Sequence, residues 1–517
     1  MNCKKITALL SSFFYLGLLT AQTNSLPRST PEAEGVAAQN IITFLDSAAV
    51  TKHEFHSFMF LRHGKVIAEG WWNPYSADLK HTLYSCSKSF TATAIGFAVS
   101  EHLLNVNDKV ISFFPGELPD TLSEYLKELT VKDVLMMSDG QEPDPTGVIV
   151  STKENWVKGF LALPILHEPG TTFLYNSLGT YMLSAIVQKV TNQKVIDYLK
   201  PRLFDPLGIT GMDWETDTHG INTGGWGLRL KTEDMAKFGQ LFLQKGMWNG
   251  KQILPAAWVN EASTTKIIQH PDMPQSKRDS SDWEQGYCYQ MWRCRNNAYR
   301  GDGAYGQYII VMPEQDAVIA ITSETTDMQG ELNLVWKYLL PSMHTTTLAA
   351  DKDADKRLRD KLSSLALQKP AATEDDAIEK NIDGKTFTLA ANTKKINAIS
   401  FNFKKDKCIV NFVTDTATYS IGFGEGDWQY GQTTMHGPYL VAAAKNSLTN
   451  LPPFKIVGDY DWLSDKKLEL VLRYIESPHT ERLRCKFNGN DVEIEIENSF
   501  KTNFEPPITI LKGTIKQ

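Results

Sequence analysis

The sequence predicts a mixed α/β (α+β) chain: an antiparallel sheet flanked by helices, an all-helical subdomain, and then a small antiparallel β domain. Three observations carry that prediction. Strand-like runs occur at 57–72 and again at 286–323, so one sheet must gather segments far apart in the chain. The stretch between them, from about 105 to 270, is mostly helical in pattern. Beyond about 380 the texture changes to strict alternation of apolar and polar residues. A length of 517 residues exceeds one ordinary domain, and 42% apolar with 22% charged residues is a globular composition.

Residues 1–21 read as a secretory signal. Lys4 and Lys5 open it, Ile6–Leu19 is apolar, and Leu19-Thr20-Ala21 offers a small-residue cleavage site. The run is short for a membrane-spanning helix, and no Cys follows it for lipid attachment. The expectation is a soluble protein exported to the periplasm or the medium, with no stable membrane anchor after cleavage. Residues 22–345 then form the first domain, 346–379 a linker and 380–517 the β-rich domain. A net charge of −7 argues against nucleic acid or anionic lipid as the main partner; oligomeric state is left open.

Within the first domain, Val36–Ala48 predicts a short helix and 57–72 a hairpin turning at His63-Gly64-Lys65. Lys231–Asp234 opens another helix, with Thr232 as N-cap, acids in the first turn, and Met235, Phe238, Leu241 and Phe242 inward. Tyr287–Cys294, Gln307–Met312 and Ala317–Thr322 read as strands, Leu332–Leu340 as a helix, and 345–372 as a charged linker helix ending before Pro370. Further on, LELVLRY (Leu468–Tyr474), RLRCKF (Arg482–Phe487) and VEIEIE (Val492–Glu497) alternate around an Asn488-Gly489 turn, an antiparallel meander. Five cysteines follow residue 21, an odd number that leaves at least one free. Cys288 and Cys294 on one strand would sit about 20 Å apart, beyond bridging distance; Cys86 stands alone, and Cys408 and Cys485 read as packed thiols or a cross-sheet pair.

The chemistry centres on Leu83–Val99, LYSCSKSFTATAIGFAV. Ser85 and Lys88 stand three apart where a long apolar helix begins, which puts an amine beside a hydroxyl on one helix face. Ser-x-x-Lys also occurs at Ser263/Lys266 and Ser464/Lys467, but only Ser85 precedes such a helix. A hydroxyl becomes a nucleophile when a neighbour takes its proton. The chain has a single Tyr-x-Ser match, Tyr175-Asn176-Ser177, just before the helical run from Leu178 to Val190. A third element, Arg300-Gly301-Asp302-Gly303, opens the strand run YIIVMP, with glycines that suit close backbone approach. Its Gly-x-Gly-x-x-Gly spacing is no dinucleotide site, because a strand and not a helix follows.

These three motifs, in this order, resemble the serine β-lactamase and penicillin-binding-protein superfamily, whose signatures include Ser-x-x-Lys. The likeness is nearest to class C β-lactamases and the related esterases, D-aminopeptidases and 6-aminohexanoate-dimer hydrolases, and covers about 26–343. The phrases VLMMSDG (Val134–Gly140) and GGWGLRLKTEDMAKFGQLFLQKG support it. The resemblance implies that Ser85 is acylated, that Lys88 manages its proton, that Tyr175 acts as general base and then acid, and that Ser177 orients Lys88 or the leaving group. It also implies an oxyanion hole from the Ser85 N–H and the Gly301–Gly303 strand, no cofactor and no metal, and a small-molecule or peptide substrate with a carbonyl.

Two departures shape the expected substrate. The usual Lys-Thr-Gly is replaced by Arg300-Gly301-Asp302. Arg300 would supply the missing cation and grip a substrate carboxylate, with Asp302 opposing it. Ser177 stands where class C enzymes carry Asn, as in the esterase-like members. An ester or amide therefore ranks ahead of a β-lactam, and a cell-wall D,D-peptide third. The rival is a penicillin-sensor-like module that acylates without turnover, and a third possibility gives the β domain a glycan- or peptide-binding role through Trp428 and Trp462, for which core packing is the ordinary use. His53 and His56 read as surface residues. Asp351, Asp353 and Asp355 do not make a calcium loop, because Lys356 sits where glycine is required. Loops 139–155 and 265–286 are expected to line the groove. No Gly-x-Ser-x-Gly occurs, which disfavours an α/β-hydrolase.

Overall fold

The computed structural model describes residues 25–152, 154–368, 378–441, 451–500 and 508–515; the expected signal and Pro370 lie outside them. The central sheet has six strands. In spatial order they are Lys65–Trp71, Glu54–Arg62, Ala317–Glu324, Gln307–Met312, Tyr299–Gly303 and Trp292–Arg293, each antiparallel to its neighbour. Successive side chains alternate between two cores. Met59, Leu61, Ile309, Val311, Val318 and Ala320 face the helices Ser87–Ser100 and Thr232–Leu243. Phe58, Phe60, Ile310, Ile319 and Ile321 face Ala38–Ala49 and its neighbours. Both faces are covered, which is why these strands read as near-continuous apolar runs.

Helix Ser87–Ser100 is buried on nearly every side, wedged between the sheet and the helical subdomain. Phe90 stacks on Phe238 at 4.0 Å and ties it to Thr232–Leu243. That second helix corrects an expectation. Lys231 and not Thr232 occupies the cap position, and the Thr232 hydroxyl instead donates to Ser57 Oγ at 2.7 Å on the hairpin strand. A buried hydroxyl facing a strand found its partner there. Tyr287–Cys294 is likewise not one strand: only Trp292–Arg293 joins the central sheet, and Tyr287 makes isolated bridges to Ile267 and Trp292. Gln290 turns the chain with φ of 59° because its backbone and side-chain amides both donate to Leu135 O in the helical subdomain. The helix expected from Leu332 starts at Met328, where Asp327 caps the Gly330 N–H.

The segment read as a linker holds the helix Lys352–Ser363, capped by Asp351. Its Ala354 and Leu358 enter the same core as Phe44 and Leu45, so it is an outer layer of the first domain and not a free tether. The β domain is a barrel. Nine strands of its ten-stranded sheet run from Thr418–Glu425 round to Phe454–Ser464, these two meet again through Gly424↔Asp459 and Glu425↔Tyr460, and the tenth, Gln429–Thr433, pairs outside Phe454–Ser464. The alternating residues Leu468, Leu470, Leu472, Leu483, Cys485, Phe487, Ile494 and Ile496 fill its interior. Cys408 and Cys485 lie there as free thiols, as do the other described cysteines elsewhere in the fold. Trp462 is in that interior, and Trp428 packs with Val457 and Val471 against Tyr75 of the first domain, so neither is the exposed platform considered above. His56 is also buried, not superficial: it stacks on Tyr75 at 3.9 Å and bonds to His81 at 3.1 Å. No described helix is long and apolar enough to cross a membrane.

Candidate active site

Ser85 sits in a tight turn, Tyr84–Cys86, that runs directly into the buried helix Ser87–Ser100. Tyr84 takes the left-handed backbone conformation with φ of 45°. One turn on, Lys88 is fully enclosed, and its Nζ lies 3.0 Å from Ser85 Oγ, 3.0 Å from Ser177 Oγ and 2.7 Å from Gly225 O. Gly225 must be glycine: a Cβ there would come within 2.8 Å of Ser177 O and 3.4 Å of Lys88 Nζ. Burial pushes the Lys88 pKa down to about 7, opposed only in part by the charges of Asp144 and Asp302. A neutral amine has two protons to give and one lone pair. Gly225 O and Ser177 Oγ take the protons, and the lone pair is left for the Ser85 hydroxyl.

Tyr175 approaches from the other segment. Its ring centroid is 5.0 Å from Lys88 Nζ, and its phenol interacts with the Ser85 side chain as a hydrogen-bonding partner. Burial raises its pKa, so the phenol holds its proton at neutral pH, although the residue as a whole is only half-buried. Asn176 is the residue of this motif that sequence reasoning passed over. It caps helix Ser177–Thr191 by accepting the Gly179 N–H at 3.1 Å, and its amide donates to Asp139 at 2.9 Å and Gln141 at 3.2 Å. Asp139, in the phrase VLMMSDG, is buried, and burial lifts its carboxyl to about 7. The loop 139–144 is thereby pinned beside Tyr175, and it carries the Asp144 charge felt by Lys88 and Tyr175.

The third motif forms the cleft's other wall. Gly303 leaves room for the chain entering Ser85, because a Cβ there would meet Leu83 O at 2.1 Å. Gly301 faces Cys86 and Ser89 closely: a Cβ there would meet Ser89 Oγ at 3.3 Å and Cys86 Sγ at 3.6 Å. Arg300 is placed otherwise than expected. Its guanidinium is wholly buried, pairs with Asp302 at 2.7 Å, donates to Asp282 O at 2.8 Å and to Cys294 Sγ at 3.1 Å, and lies over Trp283 at 4.4 Å. It is not open to a substrate carboxylate: the side chain has no solvent exposure, Nε and Nη1 are taken by Asp302, Asp282 O and Cys294, and Nη2 is buried. Burial raises the Asp302 pKa, with Arg300 and Lys88 working against that rise. The structure thus brings Ser85, Lys88, Tyr175, Ser177, Gly301, Asp302 and Gly303 to one cleft and turns Arg300 away from it.

An amine poised on a hydroxyl, with a protonated phenol alongside, can activate an oxygen nucleophile and protonate a leaving group. The family model described as Beta-lactamase matches residues 52–340, more than half of the chain and all three motifs. The chain belongs to the beta-lactamase family. It is 26% identical over 289 residues to the 6-aminohexanoate-dimer hydrolase of Paenarthrobacter ureafaciens, a match spanning 52% of this chain and 73% of that protein. It is also 27% identical over 143 residues to an Escherichia coli (strain K12) protein provisionally named a D-alanyl-D-alanine carboxypeptidase, covering 25% of this chain and 33% of the relative. A solved structure from Bacillus anthracis, provisionally named a 6-aminohexanoate-dimer hydrolase, superposes with a TM-score of 0.51 at 20% identity, over 63% of this chain and 89% of that one. At that identity the likeness establishes the fold.

Proposed function

We propose that this family member is an exported serine hydrolase that cleaves an ester or amide through an acyl-enzyme on Ser85. The observation that carries the proposal is the 3.0 Å approach of the enclosed Lys88 amine, whose pKa burial brings down to about 7, to the Ser85 hydroxyl. Lys88 takes the hydroxyl proton as Ser85 attacks the carbonyl. Tyr175, protonated at neutral pH, gives its proton to the leaving group as the C–O or C–N bond breaks. The proton that Lys88 took from Ser85 restores the phenol, and water, losing a proton to Lys88, then cleaves the Ser85 ester while that proton returns to the Ser85 oxygen. This allocation differs from the one the resemblance implies, in which Tyr175 is the first base. A phenol kept protonated at neutral pH has no phenolate to act as the first base, whereas an amine near 7 is well matched to the task. The strand around Gly301–Gly303, with the Ser85 N–H, receives the developing oxyanion, a role worth a few kcal/mol per donor.

Substrate preference follows from the wall opposite. With Arg300 withdrawn and Asp302 toward the cleft, no cation on that strand is free to hold a penicillin-type carboxylate. Linear amides of the kind named for the Paenarthrobacter relative, and simple esters, therefore rank above β-lactams and D,D-peptides. Export rests on residues 1–21 and forms part of the proposal, tested by the N-terminus of the protein recovered outside the cytoplasm. The enzymatic test is a panel of p-nitrophenyl esters, linear amides and nitrocefin on the wild type and on Ser85→Ala. Multiple turnovers by the wild type and none by the variant are expected. A wild type that stops after one equivalent would instead make the protein a sensor-like acylating module.

A further inference from the structure

Tyr84 bears a cost that something must hold in place. A left-handed backbone is disfavoured at a bulky residue, and here, with φ of 45°, it stands immediately before Ser85. The holding group comes from the barrel. The Tyr84 hydroxyl bonds to the Nε2 of His479, in the turn between strands Lys467–Tyr474 and Thr480–Asn488. His479 Nδ1 bonds at 2.7 Å to Glu324, the last residue of the central-sheet strand Ala317–Glu324, and Ser499 of the barrel donates to the same carboxylate oxygen at 2.7 Å. Phe500 packs on the imidazole at 3.9 Å, and Tyr305 meets it edge-on at 5.2 Å. His479 has no solvent exposure, and burial lowers its pKa against the pull of Glu324, so the ring is neutral. With Glu324 accepting from Nδ1–H, Nε2 is left as an acceptor and the Tyr84 O–H donates to it.

The hydrogen bonds run in one line from the end of an interior strand of the central sheet through the barrel to the residue that aims the nucleophile. We infer that His479 is a positioning residue for the acylation step, and that the barrel domain acts in the reaction by clamping Tyr84 and so fixing the direction of Ser85. The inference rests on the function proposed above. Neighbouring contacts support a docking rigid enough for this work: Arg473 of the barrel forks onto Glu54 at 2.6 and 3.0 Å, Tyr75 donates to Ser477 O at 3.0 Å, and the Thr82 N–H donates to Glu476 O at 2.9 Å, two residues before Tyr84. Without the clamp, Tyr84 relaxes toward ordinary backbone angles and Ser85 swings away from Lys88; displacements of about 1 Å in such sites cost on the order of a hundredfold.

The test uses the full-length chain and an activated ester. Tyr84→Phe deletes a single oxygen and His479→Phe keeps a ring of similar size. Each is expected to lower kcat by about tenfold to a hundredfold, with KM nearly unchanged. The double variant should be no slower than the worse single one, since both break one link. His479→Gln, which keeps a neutral acceptor, should recover part of the loss. A purely structural role would not produce the kcat-only loss or the recovery by Gln. Unchanged kcat in both single variants, or multiplying losses in the double, overturns the inference while leaving the function standing. Should His479→Phe fail to fold, Tyr84→Phe and His479→Gln carry the same two outcomes. A wild type inert toward every ester would overturn the function and the inference together.

Discussion

Two buried cations in this molecule do opposite work. Lys88 lies in the hydrolase cleft among hydroxyls and a backbone carbonyl, and among the described residues it has no ion-paired carboxylate. Burial drives its pKa down to about 7. Arg473 lies at the barrel interface, where burial also opposes its charge, but the carboxylate of Glu54 outweighs that cost and moves the pKa upward. One cation is kept reactive by withholding a counterion, and the other is made into a fastener by supplying one. The same desolvation thus yields chemistry or adhesion according to what faces the charge.

That contrast is easiest to break by substitution with an apolar residue of similar reach. Lys88→Met should lower kcat/KM by about 10²–10⁴-fold, the usual weight of a positioned acid or base, while leaving the melting temperature equal or higher. Arg473→Met should lower stability by about 1–3 kcal/mol, because partly exposed Glu54 loses a forked pair of charge-assisted hydrogen bonds and keeps only His56, which a urea titration would register. A Lys88→Met variant that unfolds, or an Arg473→Met variant that melts like the wild type, would collapse the distinction.

A pH series sharpens it further. Lys88 binds its proton less readily in the fold than in the open chain, where the ordinary value is 10.5. Its stabilising share is therefore intact above 10.5, is lost as pH falls, and is fully lost below about 7. Activity follows the same group: kcat/KM should climb through pH about 7 and level off above it, and that limb should vanish in Lys88→Met. The interface behaves differently. Burial lowers the pKa of His56, His81 and His479, so the fold resists their protonation and loses stability as pH drops below the ordinary 6.5. Thermal unfolding between pH 7.5 and 5 should show a decline that His81→Gln diminishes. A flat profile would mean these imidazoles are not enclosed as described.

The smallest effect concerns Arg300. If its guanidinium serves Asp302 and the strand instead of substrate, Arg300→Lys should change kcat/KM for an anionic and a neutral ester of the same acyl group by the same factor. Selective loss of the anionic substrate would return Arg300 to the binding site.

The sequence carried the parts of this arrangement that depend on local pattern. The Ser85–Lys88 spacing, the Tyr175-Asn176-Ser177 turn and the barrel's alternation are short-range signals, and each appears in the fold where the periodicity put it. What was illegible depends on contacts between distant segments. Arg300 looked like an open cation because nothing nearby in sequence announces that Asp282, Cys294 and Trp283 close around it. His479, nearly 400 residues from Tyr84, had no local pattern to link the two. Trp428 and Trp462 looked available for ligands only because the burial of the barrel's faces was unknown. Gly225 and Asp139 stood inside phrases that carried the family likeness, yet their roles required coordinates.

The central claim is that the oxygen of residue 85 becomes the acyl carrier. Intact-mass analysis after incubation with a fluorophosphonate at pH 8, followed by peptide mapping, tests it directly. One adduct per chain is expected, located on Ser85 and absent from Ser85→Ala. An adduct that persists in that variant, or maps to another residue, would contradict it.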